Sequence, residues 1–160
     1  MIIQEGSTLP VGEFGVMTPD GPGSITTEAL FGDRKVVVFS LIGAFTSTCS
    51  RAHLPGFVRY ADDLKARGVD AIACLSVNDI WVMDAWGRDQ GVGDKIMMLA
   101  DGNATYIRAL GLSVDLSAGG MGVRGQRFAM IVDDGIVSHL AIEKPREFAV
   151  SSAEALLEVL

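Results

Sequence analysis

Val36–Val37–Val38–Phe39–Ser40–Leu41–Ile42–Gly43–Ala44–Phe45–Thr46–Ser47–Thr48–Cys49 runs from an unbroken apolar segment, through a turn of small residues, into a cluster of hydroxyls. The apolar part predicts a strand covered on both faces. Thr46, Ser47 and Thr48 are of the type that caps a helix by accepting hydrogen bonds from its free amides, so a helix is expected to open between Thr46 and Cys49. Cys49 then stands in or beside the first helical turn. The free N–H groups and the positive end of the helix dipole there favour a thiolate, which is the nucleophilic form of sulfur. The same residue also fits a small apolar side chain packed beneath the sheet, and these residues alone leave both readings open.

Working outward, the pattern is helical from Cys49 to Arg67, with Phe57, Tyr60, Ala61 and Leu64 at helix spacing and Gly68 as a stop. Pro55–Gly56 predicts a kink or break near Leu54. Ala71–Val77 is a second buried strand, and Asn78 or Asp79 caps a helix from Ile80 to about Gln90 carrying Trp81, Met83 and Trp86. Ile96–Ala100 reads as a third strand, followed by a short helix through Tyr106 and Leu110 that stops at Gly111. Arg127–Val132 and Ile136–Ala141 flank Asp133–Asp134–Gly135, a hairpin signal. Ser151 and Glu154 have the spacing of a capping box opening a last helix with Leu156, Leu157 and Leu160. Upstream, residues 5–34 suggest short strands or a hairpin, with turns at Pro19–Asp20–Gly21 and Phe31–Gly32–Asp33. Strands alternating with helices predict one α/β domain over residues 1–160, layered around a mixed sheet.

A formal charge of −7 without any Lys/Arg run argues against nucleic acid or an anionic membrane surface as partner. No apolar run approaches the ~20 residues of a membrane span, and Met1–Gly6 has no secretory signature. Cys49 and Cys74 lack CxxC spacing, so the expectation is a cytoplasmic protein with reduced thiols. His53 and His139 form no ligand cluster, and no metal is expected. Gly120–Met121–Gly122–Val123–Arg124–Gly125 matches GxGxxG, yet a strand rather than a helix follows, so it predicts a flexible loop and no nucleotide cofactor. His53 lies four residues after Cys49 on the same helical face and fits either a base or a packed, hydrogen-bonded histidine. Arg127 opens the apolar run Phe128–Val132. It either meets a partner there or snorkels out at the strand edge, and Arg124 is a second candidate cation. Cys74, within an apolar run, is most simply a core residue.

The stretch Gly43–Ala44–Phe45–Thr46–x–x–Cys49–Ser50–x–x–His53–Leu54–Pro55–Gly56–Phe57 resembles the active-site signature of peroxiredoxins of the peroxiredoxin-5 (type II, atypical) subfamily. The likeness continues through Ala73–Asp79, Trp86–Gly87–Arg88 and Arg127–Gly135, and so covers nearly the whole chain. It implies a thioredoxin-like fold, with a central mixed β-sheet flanked by helices and N-terminal additions, in a homodimer. It implies a thiol-dependent peroxidase acting on hydrogen peroxide and small organic hydroperoxides. Cys49 corresponds to the peroxidatic cysteine that becomes a sulfenic acid. Thr46 matches the threonine that bonds thiolate and peroxide, and Arg127 the arginine that stabilises both. Ile42 and Ser47 stand where the family usually or often has proline, and the final segment has no cysteine. The resemblance therefore points to an external reductant, glutathione/glutaredoxin ahead of thioredoxin. Ile42 also motivates the alternative of a non-enzymatic redox sensor with weakened peroxidase activity.

Overall fold

In the computed structural model, which describes residues 1–160, the chain opens on a hairpin of β1 (Glu13–Thr18) and β2 (Gly21–Thr26), turned at Pro19–Asp20, and on helix α1 (Thr27–Phe31). The decisive apolar segment is β3 (Lys35–Ser40). Past the reactive loop come a π-helical turn (Cys49–His53), α2 (Leu54–Arg59), α3 (Ala61–Ala66), β4 (Ala71–Ser76) and α4 (Ile80–Asp89). Then follow β5 (Met97–Ala100), α5 (Thr105–Ala109), β6 (Ser113–Asp115), a 3₁₀ turn (Ser117–Gly119) and β7 (Val123–Gly125). β8 (Phe128–Asp133), β9 (Ile136–Ile142) and α6 (Ala153–Val159) complete the chain.

Seven strands form one sheet in the order β2-β1-β5-β4-β3-β8-β9. β3, β4 and β5 run parallel, while β1 and β8 flank them antiparallel, so the sheet is mixed as expected. β3 lies near its middle, and its alternate side chains feed two cores, because successive strand residues point to opposite faces. Val36 and Val38 join Leu30, Phe31, Tyr106, Ile107 and Leu110 on one face. Val37 and Phe39 join Leu54, Phe57, Leu64, Met83, Trp86 and Leu156 on the other. Cys49 and Cys74 both belong to this second core, where Phe39 pairs in register with Cys74 on one side and Ala129 on the other.

Three local expectations need correction. The irregularity expected near Leu54 is a change from π- to α-helix at that residue, not a break in the helix. Pro55 follows the π turn within a continuous run of helical residues and has no N–H to donate back into it. Just upstream, the Leu54 N–H donates to the Cys49 carbonyl and widens the turn into a π-helix. The break itself falls at Tyr60 (φ −100°, ψ 12°), and Asp62 and Asp63 suit the new helix start that follows. In the capping of the last helix, Ser152 rather than Ser151 accepts from the Ala155 N–H. Finally, the glycine segment is only partly a loop. Gly120 and Gly122 take positive φ to turn the chain, but Val123–Gly125 is the strand β7 paired with β6, and no helix follows.

Candidate active site around Cys49

β3 ends at Ser40 and delivers Ile42–Thr46 across the edge of the second core. The loop is pinned from below by Asn78, whose side-chain oxygen accepts from the Ala44 N–H (3.0 Å) and from the Ser76 hydroxyl (2.6 Å). Phe45 takes a left-handed conformation (φ 64°), rare for a bulky residue, and is exposed. Its ring faces that of Trp86 at 6.4 Å. Trp86 in turn donates to the Ser50 hydroxyl (3.1 Å), tying α4 to the π turn. Thr46 starts the helical hydrogen bonding with its carbonyl, which accepts from the Ser50 N–H (2.9 Å). Its hydroxyl does not cap the helix. Instead it donates to the Gly43 carbonyl (2.7 Å), leaving the oxygen lone pairs free to accept. No hydrogen bond joins Thr46 to the Cys49 sulfur, contrary to what the family resemblance implies.

Cys49 occupies the first turn of the π-helix and is fully buried. Arg127, half-buried ahead of β8, crosses to it and its Nη2 donates to Sγ at 3.0 Å. The other arm of the fork, Nη1, meets His53 Nδ1 at 2.8 Å. This settles Arg127 as a partnered cation rather than an edge residue that snorkels out. It also settles His53 as a satisfied core histidine. Its Nε2 lies 2.9 Å from the Ser151 carbonyl, a pure acceptor, so Nε2 carries the proton and Nδ1 offers a lone pair to the guanidinium. Burial first, and the Arg127 charge second, lower the His53 pKa to about 3. The imidazole is therefore neutral at physiological pH and orients the guanidinium instead of accepting protons.

Phe148 closes the other side, with its ring 5.8 Å from the Arg127 guanidinium carbon and 4.9 Å from the His53 ring. Ile42 is half-buried and packs against the second core, giving apolar cover beside the reactive loop. Arg124 rests on Gly43, where an added Cβ would stand 2.6 Å from Nη1, and its Nε donates to the Met121 carbonyl. It belongs to the wall of the loop and makes no hydrogen bond to Cys49. Cys74 is fully buried, and burial first, then the neighbouring Cys49, push its thiol well above the ordinary range. Both cysteines are free. No group of three acidic, histidine or cysteine side chains could hold a metal.

Cys49, Thr46 and Arg127 were legible as candidates in the sequence. The partner that aims Arg127 was not, although the four-residue spacing from Cys49 to His53 put the imidazole on the right face. Glu143 and Phe148 gave no sequence signal and Ser151 signalled only a helix cap, since the three gather only when the chain after β9 folds back.

The Redoxin family profile matches residues 4–157. The chain is 44% identical to Peroxiredoxin-2C of Oryza sativa subsp. japonica, over 97% of this chain and 96% of that protein. It superposes with a TM-score of 0.95 on the reduced Prx3 of Vibrio vulnificus in complex with H2O2, which is 49% identical, with 99% of both chains covered. The 1-Cys peroxiredoxin named as the Plasmodium falciparum antioxidant protein gives a TM-score of 0.91 at 30% identity over 98% of both chains.

Proposed function

The chain belongs to the Redoxin family and is a peroxiredoxin, a thiol peroxidase of thioredoxin-like fold, and on this premise we propose that Cys49 is the reacting sulfur, Arg127 its electrostatic partner and Thr46 the group that holds the peroxide. The observation that carries the reading is the Arg127 fork, with one nitrogen on the Cys49 sulfur and the other anchored on a neutral His53. A guanidinium presents fixed donors and keeps its charge, so it serves both the thiolate and the oxygen that gains charge as the O–O bond breaks.

In this reading the Cys49 thiolate attacks the nearer oxygen of ROOH. An S–O bond forms, the O–O bond breaks, and RO⁻ leaves to be protonated to ROH. Sulfur is oxidised to a sulfenic acid and the peroxide is reduced. Because the Thr46 proton is committed to the Gly43 carbonyl, its oxygen is oriented to accept the O–H of the incoming peroxide. The complete burial of Cys49 suits hydrogen peroxide and small organic hydroperoxides.

The sulfenic acid needs a second thiol. Cys74 is poorly suited, being buried with its thiol pushed up, which supports an external reductant, with glutathione/glutaredoxin preferred to thioredoxin. The likeness to a 1-Cys peroxiredoxin points the same way. The reading includes a homodimer, for which the exposed Phe45 and Trp81 offer apolar surface, and a reducing compartment such as the cytoplasm.

A peroxide-consumption assay run separately with each donor tests the proposal. Cys49→Ser should abolish turnover and Cys74→Ser should keep most of it. Turnover at the parental rate in Cys49→Ser would refute the assignment. Stopped-flow oxidation of Cys49 at the rate of an ordinary free thiol would favour the redox-sensor alternative that Ile42 motivates.

A further inference from the structure

Glu143 is a buried carboxylate with no cationic partner, as the molecule's one ion pair joins Arg88 and Asp84 on the surface. A buried charge needs compensation, and here it comes from four donors converging on a single oxygen. Glu143 Oε2 accepts from the N–H groups of Ala149 (2.8 Å), Val150 (2.9 Å) and Ser151 (2.8 Å), and from the Ser151 hydroxyl (2.7 Å). Three successive amides turned onto one point form a concave nest that calls for an anion. Burial opposes the charge, but these hydrogen bonds outweigh it and hold the Glu143 pKa below the ordinary carboxylate range.

The geometry gives this clasp a place in the active site. The backbone N–H of Glu143 donates to the carbonyl of Arg127 (3.0 Å), so its main chain is fastened to the residue that reaches the sulfur. Its side chain holds the segment that supplies both remaining supports of the guanidinium. Ser151 gives the carbonyl that fixes the protonated nitrogen of His53, and Phe148 packs on Arg127 and His53. Release of the Ser151 carbonyl would free the imidazole to take the other tautomer, setting an N–H against the guanidinium where a lone pair now stands.

We propose that Glu143 is a positioning residue for peroxide reduction: by clasping Ala149–Ser151 it holds the Ser151 carbonyl on His53 and Phe148 on Arg127, and so keeps the guanidinium on the Cys49 sulfur. The inference rests on the reading of Cys49 as the peroxidatic sulfur. The role is indirect, since Glu143 touches neither sulfur nor peroxide.

The test is a double-mutant cycle read by stopped-flow oxidation with hydrogen peroxide. Glu143→Gln keeps the shape and removes the charge, and it should slow Cys49 oxidation by about tenfold to a hundredfold, the scale of a small misplacement of a catalytic group. In an Arg127→Ala background the same substitution should cost almost nothing further, because the group it positions is gone. Should Glu143→Gln fail to fold, Ser151→Ala removes only the hydroxyl bond; it should give a smaller loss that also vanishes in the Arg127→Ala background. Parental rates in the single variants, or an equal loss with and without Arg127, would overturn the inference. A parental protein inert to peroxide would instead remove the functional reading beneath it.

Discussion

At the scale of single residues, the site depends on Arg127 having two arms. A lysine keeps the charge but offers one ammonium in place of a planar fork, so it cannot sit on Sγ and on His53 Nδ1 with the same fixed geometry. Arg127→Lys is therefore expected to slow Cys49 oxidation by about a hundredfold, the loss typical of removing one preorganised donor from developing charge. Stopped-flow kinetics at several peroxide concentrations measure it, and a loss below twofold would show that charge alone suffices. Thr46→Ser should be nearly silent, because serine also has a proton for Gly43 and lone pairs for peroxide. Thr46→Val keeps the shape and should lose most of the rate, and equal rates in the two variants would exclude the hydroxyl from the reaction. Cys49 and Arg127 stand out in the sequence, as a thiol at a helix start and a cation ahead of an apolar strand, but those residues leave each with two readings, and only the family resemblance gives them roles. His53 could not be assigned, because its choice between a base and a packed, hydrogen-bonded residue is decided by the carbonyl of Ser151, which lies 98 residues away in the chain.

At the scale of elements, the strands were the most legible part, since β3, β4, β5, β8 and β9 each announce themselves as apolar runs bounded by turn residues. Helix ends were less so, because they depend on which of several hydroxyls is otherwise engaged. The last helix shows why. Ser151 and Glu154 fit a capping box, but the Ser151 hydroxyl is spent on Glu143 and Ser152 caps instead. This exchange separates two neighbouring serines by function. Ser152→Ala should cost about 1 kcal/mol of stability, as loss of a helix cap does, and leave peroxide kinetics at the parental rate. Ser151→Ala should lower those kinetics. Urea denaturation and stopped-flow oxidation of both variants check the pair, and a stability loss confined to Ser151→Ala would restore the sequence-based cap. The β6–β7 pair escaped notice because three-residue strands carry too little pattern to stand out from a glycine loop.

At the scale of the whole molecule, the neutral histidine in the second core couples folding to pH. His53 has a pKa of about 3 in the folded protein against 6.5 ordinarily. Between those values the unfolded chain binds a proton that the native state refuses. Stability must then rise with pH through this window and fall as the solution is acidified from 6.5 toward 3. From pH 7 to pH 5 this one group accounts for about 2 kcal/mol of lost stability. Glu143, held charged below its ordinary range, adds a loss of the same sign as pH falls past about 4.5. Urea unfolding of the parent and of His53→Gln at pH 7 and pH 5 isolates the histidine, since the remaining groups are shared. The glutamine amide can donate to Ser151 and accept from Arg127 without titrating, so the variant should lose about 2 kcal/mol less than the parent over that interval. Equal acid sensitivity in the two proteins would mean that His53 takes up its proton in the native state. In that case a cation would face Arg127, and the fork could not be held on the sulfur as the site requires.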